Sequence, residues 1–308
     1  MSAASPHDNR TLLIAFGANL GIAASKFVAA TITGSSAMLT EGVHSVVDST
    51  NQLLLIWGRR ASRRPPDALH PFGYGREIYF WSFVVAILVF ALGAGVSVYE
   101  GVIHIMHPEP AVSPIWGYGV LLVAFLLEGG STIAAFRDFK AAKGNAGWFQ
   151  AFRQSKDPPT FIVLLENGAA MAGILAAALG LALAQLTANP FFDGAASVLI
   201  GAILGVTATL LAIESKALLI GEAADPELVE SLRAFACGCK GIMGVGEVLT
   251  IHSAPDIITA MLSVDFDDNI SAGEVERIVQ HIEEQAGQRW PQVKRLFVRP
   301  QQGAGGCR

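Results

Sequence analysis

The chain has 308 residues, 52% of them hydrophobic and only 15% charged, against the roughly 25% charge of soluble domains; its mean hydropathy of +0.47 points to long apolar segments and an integral membrane protein. A formal charge of −5 excludes a nucleic-acid binder, which needs a basic face. Cys237, Cys239 and Cys307 all fall in the last quarter, too few and too clustered for a secreted disulfide framework. Cys237-Gly238-Cys239 reads as a pair of reduced structural thiols in preference to a soft-metal site. The opening MSAASPHDNR is short and polar, and shows no signal-peptide pattern.

Spanning helices need about 20 mostly apolar residues, and six segments qualify, at about 11–33, 37–58, 78–104, 115–136, 159–186 and 192–214. Arg59, Arg60, Arg63, Arg64 and Arg76 lie between the second and third. Arg137, Lys140, Lys143, Arg153 and Lys156 lie between the fourth and fifth. The turns TGSS (33–36), MHPEPAVSP (106–114) and TANP (187–190) carry no Lys or Arg. The positive-inside rule therefore places both termini in the cytoplasm, as the even number of spans also requires.

From residue 215 onward the chain has 9 Lys/Arg and 13 Asp/Glu, a soluble balance. Asp225-Pro226-Glu227 predicts an N-cap, a first-turn proline and an acidic first turn, opening a helix to about Ala236. VGEVLTIHS and ITAMLSVDF read as strands joined at Ala254-Pro255-Asp256. Ser271-Ala272-Gly273-Glu274 predicts a capping box and a helix to about Gln288. VKRLFVRP is a last strand. The expected organisation is an all-α six-helix membrane domain over residues 1–214 and a small α+β domain over 215–308.

A charge at the bilayer centre costs on the order of 2.5–3.5 kcal/mol on insertion scales, so Lys26, Glu41, His44, Asp48, Glu100, Glu128 and Glu166 each demand a reason. Lys26 is read as neutralising a neighbouring carboxylate. Glu41 and Glu100 fit interfacial solvation near span ends as well as they fit a function. Glu128 fits a helix neighbour or a proton path. His44 and Asp48, one turn apart on one helix face, read as a ligand pair. The fifth span offers Glu166 and Asn167, which project about 100° apart, so both reach one ion only by straddling the helix interface. Imidazole, carboxylate and amide suit zinc, with Mn²⁺ or Fe²⁺ as alternatives. In the loop DALHPFGYGRE (67–77), Asp67 and His70 form either a second metal pair or a solvated glycine-rich turn. Small residues, among them Gly17, Gly21, Gly93 and Gly95, are expected at close helix contacts.

Taken together in this order, NLGIAASKFVAATITGSSAMLTEGVHSVVDSTNQ, HPFGYGRE, FFDGAASVLIGAILG and ESKALLIGEAADPE resemble the cation diffusion facilitators, the zinc-transporter superfamily, over residues 11–300. The resemblance implies a homodimer of six-helix protomers, a ferredoxin-like cytoplasmic domain, and efflux of a divalent metal, zinc foremost, in exchange for protons. It implies a transporter and not an enzyme, with no prosthetic group, seated in lipid, in a bacterial inner membrane. His44 and Asp48 match the family's second-span ligands. In the fifth span the family's two ligand places fall on Val163 and Asn167, with Glu166 beside them. Asp67 and His70 match loop ligand places, but Tyr74 stands where a second histidine is usual. The family's metal-binding histidines of the cytoplasmic domain have no evident counterpart in His252 or His281, so that domain is expected to dimerise without metal. The rival readings are a Mn²⁺ or Fe²⁺ transporter of the same fold, and a non-transporting membrane scaffold whose soluble domain recruits partners.

Overall fold

Apolar runs in lipid have no water to satisfy their backbone groups, and a helix satisfies them internally. The computed structural model describes residues 6–108, 115–143, 158–303 and 306–307. It forms helices wherever the sequence predicts spans: α1 Pro6–Thr33, α2 Ser36–Ser62, α3 Glu77–Met106, α4 Ile115–Lys143, α5 Pro158–Thr187 and α6 Phe191–Ile220. The turn between α1 and α2 passes through Gly34 at φ +68°, a left-handed conformation that a Cβ disfavours. Within α3, Val89–Ala94 forms a π-helical turn.

Among the described residues, four helices are long and apolar enough to cross a membrane: α3, α4 over Ile115–Arg137, α5 over Ile162–Thr187, and α6. In α1 the described apolar stretch is Leu20–Thr33. α2 falls short because one of its faces is polar. Large apolar side chains such as Phe90, Leu122, Leu126, Leu179 and Val206 are exposed on these helices, the inverse of a water-soluble surface. The residues 109–114, Arg153 and Lys156, used above in reading the loops, lie outside the described residues.

The chain divides into two compact units, Met1–Arg59 with Phe80–Ser215, and Arg60–Tyr79 with Lys216–Arg308. In the first, glycines set the closest helix approach, though not all of those expected. A Cβ built at Gly101 of α3 would lie 2.7 Å from the Gly194 carbonyl oxygen of α6, and one at Gly201 would lie 2.7 Å from Val98. Gly93 faces Leu204 at 3.3 Å, as the small-residue expectation holds. Among the described residues, a Cβ built at Gly21 would meet nothing within 4 Å and one at Gly95 only the Phe90 carbonyl oxygen, so neither position needs a glycine for close helix approach there.

The second unit has the expected α-β-β-α-β order: α7 Pro226–Cys237, β1 Ile242–Ala254, β2 Ile257–Phe266, α8 Ala272–Arg289 and β3 Val293–Pro300. β1 pairs antiparallel with the central β2, and β3 pairs parallel with β2. The expected caps are present: Asp225 accepts from Glu227 N at 2.9 Å, and Ser271 and Glu274 form a reciprocal capping box. Alternate residues Ile258, Ala260, Leu262 and Val264 on one face of β2 join Leu228, Leu232, Ile282 and Ala286 of the two helices in the core. The cysteines depart from expectation. Cys237 is bonded to Cys307, and Cys239 is the free thiol. The bond ties the end of α7 to the C-terminal tail, where Gly306 also bridges to Gly244 of β1.

Candidate metal centre

The start of α2 is fixed by another helix. Asp193 of α6, 2% exposed, accepts from Ser35 Oγ at 2.6 Å, Ser36 N at 2.7 Å, Ser36 Oγ at 3.2 Å and Ala37 N at 3.4 Å. His104 Nε2 lies 3.7 Å from the same carboxylate. A carboxylate there satisfies first-turn amides that have no partner within the helix and complements its dipole. Farther along, Thr40 Oγ1 and Ser197 Oγ share a hydrogen bond of 2.5 Å, and Ser197 donates to the Ser97 carbonyl at 2.9 Å. Sequence reading missed Asp193. The signal was available in FFDGAASV, an acidic residue opening an apolar run.

So anchored, α2 presents Glu41, His44, Asp48 and Asn51 at spacings of three, four and three, which is one helix face. Glu41, His44 and Asn51 are essentially inaccessible. His44 Nε2 is 3.4 Å from Asp48 Oδ2, without hydrogen-bond geometry. Among the described residues, Glu41 Oε1, both His44 ring nitrogens, Asp48 Oδ1 and Asn51 Oδ1 are buried without a hydrogen-bond partner. Each such atom costs about 1–3 kcal/mol when left unsatisfied, so a column of them on one face is a poor arrangement for packing.

Glu41 is not solvated at an interface, as one reading of the sequence held. It is paired with Lys26 Nζ at 2.9 Å, both side chains being fully buried, and Lys26 also donates to Ser45 Oγ at 2.8 Å. Lys26 is thus the neutralising cation the sequence led us to expect.

The two candidates of the fifth span part company. Glu166 of α5, 5% exposed, accepts from Asn51 Nδ2 at 2.7 Å. Asn167 turns to α4 and donates to Ser131 Oγ at 3.2 Å. Asn51, quoted in the motif but given no role by sequence reading, joins the α2 face to Glu166. Lys26, His44, Glu128 and Glu166 all lie within electrostatic range of Asp48. Among the described residues, no three His, Cys, Asp or Glu side chains converge into one metal-holding cluster. His44–Asp48 and Glu166 stand as neighbours, not as a closed shell.

Asp67 and His70 are together, in a turn. Asp67 Oδ1 accepts from Leu69 N at 3.0 Å and His70 N at 2.7 Å, and Oδ2 from Tyr74 OH at 2.7 Å. These bonds, the Tyr74 hydroxyl first, hold the Asp67 carboxyl below the usual range. His70 Nδ1 is 3.5 Å from Asp67 and its ring stacks on Tyr74 at 4.3 Å. Tyr74, in the place where the family's second histidine is usual, therefore spends the carboxylate on the turn. His252 is buried in β1, and His281 is exposed on α8.

An imidazole and a carboxylate share one face of α2, an acid approaches from α5, and a separate α+β unit follows. The chain belongs to the cation efflux family, whose transmembrane domain model matches residues 12–220. It is 32% identical over 248 residues to the mitochondrial proton-coupled zinc antiporter SLC30A9 of Homo sapiens, covering 80% of this chain and 44% of that protein. It is 34% identical over 233 residues to metal tolerance protein C4 of Arabidopsis thaliana, covering 74% and 50%. It is also 21% identical over 290 residues to the manganese efflux system protein MneP of Bacillus subtilis, covering 94% of each. The chain spans about half the length of the first two.

Proposed function

We propose that this protein exports zinc in exchange for protons, through the interface of α2 and α5, with His44, Asp48 and Glu166 as the ligands that bind and release the ion. The observation carrying this reading is the bond from Asn51 to Glu166, which turns the α5 carboxylate, and not Asn167, toward the α2 face. A neutral imidazole with two carboxylates offsets the charge of M²⁺, which matters where charge is poorly solvated. Metal binds only deprotonated ligands, so protons and metal compete for the same atoms. Exposure of the site to each side in turn then lets an inward proton gradient drive metal outward.

The relatives named for zinc and for manganese support a divalent cation. Imidazole beside carboxylate favours zinc over the harder Mn²⁺, and Fe²⁺ stands between them. A membrane scaffold would gain nothing from the desolvated column on α2. Six spans, cytoplasmic termini, a ferredoxin-like domain and a homodimer complete the proposal, supported by the arginine-rich segment 59–64 and the α-β-β-α-β order. With relatives named both as mitochondrial and from a bacterium, the membrane is proposed only as one across which a proton gradient stands. Asp67 and His70 are assigned to the turn, outside the transport path.

Zinc flux into proteoliposomes tests the ligand set. Glu166→Gln should cut flux by about tenfold or more, the scale on which metal-site partners act, and Asn167→Ala should cut it much less. Full flux in Glu166→Gln with none in Asn167→Ala would instead make Asn167 the ligand.

A further inference from the structure

Glu41 stands one turn from His44 on the α2 face, toward the Ser36 end of the helix. Its two oxygens have different surroundings. Oε2 takes the Lys26 ammonium at 2.9 Å; Oε1 is buried without a hydrogen-bond partner among the described residues. Oε1 is directed at α5, where a Cβ built at Gly173 would collide with it. Gly173 thus leaves room for a bare carboxylate oxygen in the same helix interface that holds Asp48 and Glu166. The carboxylate cannot easily swing away, because Lys26 is itself pinned to Ser45 Oγ at 2.8 Å.

We infer that Glu41 Oε1 is a second, weak station for the divalent cation, on the Ser36 side of the His44–Asp48 pair. The inference rests on the transport reading given above. An anionic oxygen with a free lone pair attracts a cation leaving His44. The ammonium held against the other oxygen repels the same cation and keeps residence short. Transport requires this balance: binding favourable enough to enter and weak enough to leave. Lys26 is therefore a positioning and affinity-setting residue, and Gly173 gives the Glu41 oxygen its place against α5. In the proposed orientation the Ser36 end of α2 is the outer end, so this is the exit station.

The test uses purified full-length protein, with calorimetric zinc titration in detergent and zinc flux in proteoliposomes. Glu41→Gln should retain the zinc stoichiometry and affinity of wild type while flux falls about tenfold, the scale of a lost metal partner. Lys26→Met, which removes the repelling charge, should bind one additional zinc per protomer and be stabilised by zinc against heat more than wild type. Gly173→Ala, which removes no polar group, should lower flux with binding intact. Wild-type flux in Glu41→Gln, or unchanged zinc stoichiometry in Lys26→Met, overturns the exit station. If neither variant folds, wild-type flux in Gly173→Ala does so. His44→Ala, run alongside, keeps the two readings apart: if it transports normally, the transport site itself is wrong.

Discussion

His44→Ala and Asp48→Asn should each reduce zinc flux to background and remove high-affinity zinc binding, while the protein still elutes as a folded species. Neither His44 ring nitrogen makes a hydrogen bond among the described residues, so removing the ring breaks no hydrogen bond between the described helices. Loss of a partner that merely orients a metal ligand costs about 10–100-fold in affinity or activity, and loss of a ligand should cost at least that. Asp48→Asn keeps the volume and removes the charge, leaving His44 and Glu166 one negative charge against a divalent ion. Normal zinc binding by either variant would remove α2 from the site.

Asp193→Ala should produce the largest loss of stability from a residue outside the ligand column. The carboxylate accepts from two hydroxyls and two backbone amides at the start of α2. Hydrogen bonds to a charged group are worth about 1.5–3 kcal/mol each, and Ser35, Ser36 and Ala37 at this helix start are buried. The expected result is a thermal midpoint in detergent several degrees below that of wild type, with Asp193→Asn intermediate because one of its two oxygens is lost as an acceptor. Zinc affinity should fall as well, since the first turns of α2 set the register of His44. An unchanged midpoint in Asp193→Ala would mean that the capping geometry contributes nothing to stability.

Local signals were legible in the sequence, and long-range ones were not. Helix spans follow from apolar run length, the caps at Asp225 and Ser271 from residues within one turn of their targets, and the His44–Asp48 pair from helical pitch. The need for a cation near a buried acid pointed to Lys26, although its partner Glu41 is 15 residues away. Asp193 eluded the same reading because its partners lie about 157 residues earlier in the chain, and nothing near it predicts them. Residues 166 and 167 differ by about 100° in direction, and their partners, Asn51 and Ser131, lie on other helices far away in sequence. The bond from Cys237 to Cys307 joins positions 70 residues apart, whereas the sequence reads Cys237 and Cys239 as reduced thiols. Tyr74 could be read as a missing ligand, but its use as the donor that saturates Asp67 needed the folded turn.

We propose that protons and metal share His44, Asp48 and Glu166, so that movement of one drives movement of the other. Proteoliposomes loaded with a fluorescent zinc reporter test it most directly, with flux followed as a pH step is imposed at constant zinc. An acidic lumen should drive zinc accumulation in the lumen beyond equilibrium, a protonophore that dissipates the gradient should abolish it, and His44→Ala should show neither response. Zinc entry at the same rate and to the same level with and without the gradient would mean that protons and metal do not share the site.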